Sequence, residues 1–265
     1  MNLRERVDRF FIAQFEGLSL DQADEMDILE ANGSVNFGSN KAYRAMLKKI
    51  KAGSPATNPD DLQYILDNVD VDNLFEYMAL EMFVGNSDIG NIRYYRLHQE
   101  GSKWKWIWYD ADYGLYSSKF NSPWSYLKVK GMGEQKIDNT IFLKLLEHPD
   151  YKAQVPRKLA DVYKTFTTEY MTQVLDGVVA EIQPEMKNHW ERWGELNDKA
   201  VTSEVPTTID GAYTYWESRV NRLYNTLKVR PHRLWDFIKD EFKLTKTEME
   251  ELFGPQPDYP DDAVL

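Results

Sequence analysis

The stretch from Val71 to Val84, VDNLFEYMALEMFV, limits the fold more than any other part of the chain. Leu74, Phe75, Tyr77, Met78, Leu80, Met82, Phe83 and Val84 fall on every side of a helix, so that helix must be buried all round. Burial of this kind needs a shell of other elements. A chain of 265 residues, 42% hydrophobic and 14% aromatic, is large and apolar enough to supply one. The same composition excludes a chain that is disordered throughout. No run approaches the ~18 consecutive apolar residues of a membrane span. The opening MNLRERVDRF carries charges where an export signal has its apolar region, so no signal peptide is expected.

Charge and side-chain chemistry narrow the function. With 32 Lys+Arg against 43 Asp+Glu the formal charge is −11, which speaks against a nucleic-acid partner. The absence of cysteine removes disulfides, cysteine nucleophiles and thiolate zinc sites. His98, His148, His189 and His232 are scattered and form no H-E-x-x-H pair. Metal chemistry therefore rests on carboxylates and amides, and on hard cations such as Mg²⁺, Mn²⁺ or Ca²⁺. No calcium loop of the D-x-[DN]-x-[DN]-G type is present, so a calcium-stabilised surface domain is the weaker reading.

Around the central helix the pattern is mostly helical. Leu3, Val7, Phe10, Phe11 and Phe15 have helical spacing, as does the run from Asn40 to Lys51. Asn58-Pro59-Asp60-Asp61 reads as a cap with proline in the first turn of a helix that reaches about Asn68. Asn32-Gly33 between apolar flanks predicts one hairpin. Ile92–His98 and Lys103–Tyr109, joined by a short polar turn, predict a second. Residues 114–139 read as a long loop. From Thr140 the chain reads helical almost to its end, with Pro184 expected to kink one helix. Met171, Val174, Leu175, Val178 and Ile182 form one apolar stripe, and Ile209, Tyr213, Trp216, Val220, Leu223 and Leu227 another. Thr245 with Glu248 makes a capping box, and Gly254 a helix stop. The expected fold class is mainly α (α+β), with a central buried helix and two small β-hairpins.

One constellation carries chemistry. Asn86, Asp88 and Asn91 follow the buried helix, and the second hairpin then runs into Asp110-Ala-Asp112-Tyr-Gly114. A hairpin folds its ends together, so Asp88 and Asp110 are expected on one edge. Two carboxylates and an amide there suit Mg²⁺ carried on phosphate oxygens, and a further carboxylate can accept a proton from an attacking hydroxyl. N-S-D and D-x-D are also ordinary caps and Asx turns, and their joint placement favours the functional reading.

These residues bring the chain to a family. FVGNSDIGNIRYYR, KWKWIWYDADYGLY and NTIFLKLLEHPDYK closely resemble the CotH kinase family, named for a bacterial spore-coat protein. DILEANGSVNFGSNKAYRAMLKKI, the central helix, and the C-terminal helices with Trp190, Arg192, Trp193 and Trp216–Arg230 extend the resemblance to roughly Asp27–Gly254. It implies the C-terminal lobe of an atypical, protein-kinase-like fold over residues 27–254. Residues 1–26 would form an N-terminal helix, and residues 255–265 an acidic, proline-rich tail or linker.

The implied activity is transfer of phosphate from ATP, with Mg²⁺ or Mn²⁺, to Ser or Thr of a partner protein. Asp88 would take the place of the catalytic aspartate. Asn91 and Asp110 would bind the metal, with Asp112 sharing it, and Asn91 and Arg93 would face the nucleotide. The family also implies a spore-coat or cell-surface location. No Gly-rich loop and no strand lysine precede the site in this sequence, so the nucleotide-binding lobe is expected outside it, and these 265 residues alone are expected to transfer phosphate poorly or not at all. The alternative reading is a non-catalytic, pseudokinase-like binding module or a spore-coat or surface structural module that uses its aromatic residues.

Overall fold

A computed structural model describes residues 6–132, 136–200 and 208–260; beyond Trp193 in its helix, and at Trp124, only the backbone is described. The chain divides into two compact units, Met1–Gly114 with Asn121–Val162, and Leu115–Phe120 with Tyr163–Leu265.

The first unit is built on a four-stranded antiparallel sheet. Its strands are β1 (Met26–Glu30), β2 (Ser34–Phe37), β3 (Arg93–Leu97) and β4 (Lys105–Ile107), in the order β2-β1-β3-β4. Both expected hairpins are present. They are fused, because β1 also pairs with β3, Met26 opposite Leu97 and Glu30 opposite Arg93. The N-terminal segment contributes helix α1 (Arg9–Phe15), shorter than residues 1–26, and a 3₁₀ turn at Leu20–Gln22. Ile12 and Ala13 of α1 pack with Met26, Ile28, Tyr95 and Leu97 on one face of the sheet.

Helices α2 (Lys41–Ala52), α3 (Pro59–Asn68) and α4 (Val71–Val84) follow β2, with Asn58 capping α3 through Asp60 N–H as its sequence predicts. On the opposite face Tyr43 of α2 meets Tyr94 at 4.7 Å between ring centres, and Tyr94 stacks on its cross-strand partner Trp106. Leu74, Tyr77 and Met78 of α4 close with them round a void of only about 20 Å³. Nine of the fourteen α4 residues are buried. The central helix is where its pattern put it.

The free edge of β4 is covered. Asp70 N–H donates to the Trp104 carbonyl, and Trp104 N–H to Asn68. Beyond them the Asn73 side chain takes over, accepting from Trp106 N–H at 2.6 Å and donating to the Trp106 carbonyl at 3.1 Å. An amide side chain here imitates a neighbouring strand and satisfies an edge that would otherwise pair with another chain.

Residues 114–139, expected as loop, hold more structure: α5 (Ser122–Lys128) and a two-stranded ladder of β5 (Gly131–Met132) and β6 (Ile137–Asp138). The seven-residue helix is too short to stand out in a polar, glycine-containing stretch. It is fixed by tertiary contacts, such as Ser122 Oγ–H to the Met82 carbonyl. Then come α6 (Thr140–Leu146), α7 (Pro149–Lys152) and α8 (Gln154–Thr165), whose Lys158 pairs with Asp72 and Glu76 of α4.

The second unit is helical: α9 (Thr168–Ile182), α10 (Met186–Ala200), α11 (Ile209–Phe242) and α12 (Lys246–Phe253). Pro184 ends α9 in a 3₁₀ turn, Gln183–Glu185, where a kink was expected. The α9 stripe is not core, since Val174, Val178 and Ile182 are exposed. The Thr245 capping box and the Gly254 stop are present. Tyr116 and Phe120, in the six-residue strip that belongs to this unit, give their carbonyls to Arg222 and to the fully buried Arg230 of α11. The start of the tail is docked: His232 Nδ1 lies 2.7 Å from the Pro257 carbonyl, and Gln256 donates to Asp236. Residues 261–265 of the expected linker lie outside the described residues.

Candidate functional site

Helix α4 stops at Gly85, whose φ of +64° is the left-handed conformation glycine adopts without strain. Both Gly85 N–H and Asn86 N–H return to the Glu81 carbonyl. The chain then turns through Asn86, which is buried, and its Oδ1 accepts from Asp88 N–H at 3.1 Å. Asp88 in turn caps the short 3₁₀ turn Ile89–Asn91, accepting from Gly90 N–H at 3.4 Å. That long contact leaves the half-buried carboxylate weakly committed.

After β4 the chain passes through Trp108 and Tyr109 to Asp110, which has φ +54°. Aspartate tolerates this left-handed region better than most residues, and the turn reverses the chain at the hairpin's open end. There Asn91 Nδ2 donates to Asp110 Oδ2 at 2.7 Å. The two residues are nineteen apart in sequence, and the hairpin closes the gap as its pattern predicts. Asp112 is exposed two residues on. Among the described residues no hydrogen bond or ion pair joins Asp88 or Asp112 to the Asn91–Asp110 pair.

Arg93 faces elsewhere. As the cross-strand partner of Glu30 it pairs with that carboxylate at 3.0 Å. It also donates to the Val7 carbonyl and lies over the Tyr109 ring. To reach a phosphate it would have to leave all three.

The sequence reading passed over Glu81. In the last turn of α4 it is 1% exposed, and burial pushes its carboxyl up to about 7 against hydrogen bonds from Asn86, Tyr77, Tyr126 and Trp108. A signal was available, an acid inside a helix apolar on all sides. The same helix carries Glu76, which lies in solvent beside Lys158, so the pattern alone did not separate the two.

No three carboxylate or histidine side chains converge into a metal cage among the described residues. A resident structural cation is not what this donor set suits. Mg²⁺ is held by fewer protein ligands, one or two carboxylates completed by phosphate oxygens and water, and the exposed carboxylate here is Asp110, which accepts from the Asn91 amide.

Fold and site together define a mainly α, α+β chain with an acid–amide edge at the open end of a hairpin. The chain belongs to the CotH kinase protein family, whose family model matches residues 12–234. That places it among kinase-like domains. Comparison with curated proteins and with solved structures gave no match. Among the described residues no helix is long and apolar enough to cross a membrane.

Proposed function

We propose that this chain is the C-terminal lobe of a CotH-type protein kinase, which together with a nucleotide-binding lobe transfers the γ-phosphate of ATP to a Ser or Thr hydroxyl of a partner protein. The observation that carries the reading is the 2.7 Å contact between Asn91 and Asp110, with Asp88 three residues before Asn91. Asp88 accepts the proton of the attacking hydroxyl while its oxygen bonds to the γ-phosphorus. The bond from that phosphorus to the bridging oxygen breaks, and ADP leaves. Asn91 and Asp110, with Asp112 sharing, would hold Mg²⁺ or Mn²⁺, which when bound neutralises charge on the phosphate oxygens. A nucleotide role for Arg93 requires it to exchange Glu30 for a phosphate.

The test is transfer of labelled phosphate from ATP, with Mg²⁺ and with Mn²⁺, to the protein itself and to Ser/Thr-rich acceptors. Asp88→Asn and Asp110→Asn should each lower the rate by about 10² or more, because each removes a transition-state contact. Wild-type protein that neither transfers label nor binds Mn²⁺·ATP under any of these conditions refutes the proposal. The alternative, a non-catalytic binding module, has one observation in its favour. An aromatic-lined cleft of about 410 Å³ is framed by Phe11, Phe15, Trp106 and Trp108 with Asp70 and Lys105. That reading expects ligand binding that Asp88→Asn leaves unchanged.

A further inference from the structure

The mechanism above makes no use of the buried carboxyl beneath its two loops. Glu81 is met by side chains from four segments: Tyr77 of its own helix, Asn86 of the turn that carries Asp88, Trp108 of the segment that carries Asp110, and Tyr126 of α5. The titratable groups among these are the two tyrosines, and none of the four is charged at neutral pH. Tyr77, Asn86 and Trp108 present hydrogen-bond donors to the carboxyl. The Tyr126 hydroxyl lies 3.5 Å from Glu81 Oε2 and gives its single proton to the Asn86 carbonyl at 2.6 Å, so it joins the cluster through Asn86. Asn86 links the cluster directly to the Asp88 main chain through its Oδ1. In a dry site, donors deprived of their common acceptor would be left unsatisfied, and the loops that own them would move to find water.

We propose that Glu81 is the positioning residue of the site: its carboxyl oxygens tie the Asn86–Asn91 turn and the Trp108–Asp112 segment to one point and so set Asp88 and Asp110 in a fixed relation. The proposal rests on reading those two loops as the site. It touches no reacting atom and acts through Asn86 and Trp108.

Two substitutions of similar volume separate hydrogen bonding from packing. In Glu81→Gln the remaining oxygen accepts from Asn86 and Trp108, while the tyrosine hydroxyls can rotate to accept from the new amide. Glu81→Leu fills the space and accepts nothing. Peptide-resolved hydrogen exchange at pH 7.5 is read over residues 86–91 and 108–112, with α2 as the internal control. Glu81→Leu should speed exchange about tenfold or more in both loops and leave α2 unchanged, whereas Glu81→Gln should stay within about twofold of wild type. Wild-type exchange in Glu81→Leu, loosening of one loop alone, equal loosening of α2, or Glu81→Gln as loose as Glu81→Leu would each overturn the proposal. The readout needs no activity. Binding of Mn²⁺·ATP by the wild-type protein, measured alongside, reports separately on the phosphoryl-transfer reading.

Discussion

Replacing Asn73 by alanine strips the imitation strand from the edge of β4. Two hydrogen bonds are lost, from Trp106 N–H and to its carbonyl. Each contributes about 1 kcal/mol net, and the two backbone groups they leave behind are those of a residue only 7% exposed. Against this, alanine is a better helix former than asparagine by roughly 0.5 kcal/mol. The balance is a loss of about 2 kcal/mol in the local stability of the β4 edge. Because the chain has two compact units, a single melting curve would mix their transitions. Native-state hydrogen exchange over residues 104–108 isolates the effect. A loss of ~2 kcal/mol appears there as exchange roughly 30-fold faster. Asn73→Asp, which keeps the acceptor for Trp106 N–H and loses the donor, should recover about half of the protection. An acceleration below about twofold in Asn73→Ala would mean that water replaces the side chain without loss, and the covered-edge argument would fail.

Three further outcomes are expected. Millimolar Mn²⁺ with ATP should slow hydrogen exchange over residues 86–91 and 108–112 of the wild-type protein, by about tenfold at tenfold over Kd, and Asp110→Asn should abolish the slowing in the same measurement while keeping the left-handed turn. Arg93→Met should lower stability by about 1 kcal/mol, discounted because Glu30 is partly exposed, and leave the Kd for nucleotide within about twofold by calorimetry. For Glu81, the folded-state value of about 7 lies above the ordinary 4.5, so the folded protein holds the proton more tightly. Its stabilising share is complete below pH ~4.5 and is lost as pH rises through ~7, an effect on the order of 3 kcal/mol. Urea unfolding of the first unit from pH 5 to 8 should show that slope in the wild type and not in Glu81→Gln.

Sequence made the helices of the first unit readable where one signal had one meaning. Asn58 before Pro59 could only open a helix, and the all-round apolar face of α4 could only be buried. The second hairpin was equally legible; its pattern led to the expectation of Asp88 and Asp110 on one edge, and the contact at its mouth is between Asn91 and Asp110. Less was legible where meaning depends on a distant partner. Nothing local to Met26–Glu30 says that it pairs with β3 as well as β2. Nothing local to Asn73 marks it as a substitute strand. Arg93 shows the same dependence at the site: nothing local to it names Glu30, its cross-strand partner, as the carboxylate it pairs with. Ser122–Lys128 is helical because Ser122 and Tyr126 bond to the end of α4, a cause invisible in seven residues.

The strip Leu115–Phe120 has a consequence for modularity. The covalent chain passes between the two units at Gly114, at Phe120 and at Val162, so neither unit is a contiguous stretch of coding sequence. A fragment ending at Val162 carries six residues that belong to the other unit. Its complement, starting at Tyr163, lacks the Phe120 carbonyl that Arg230 grips and the Tyr116 carbonyl that Arg222 grips. A single cut in the chain therefore cannot separate the two units and leave both intact.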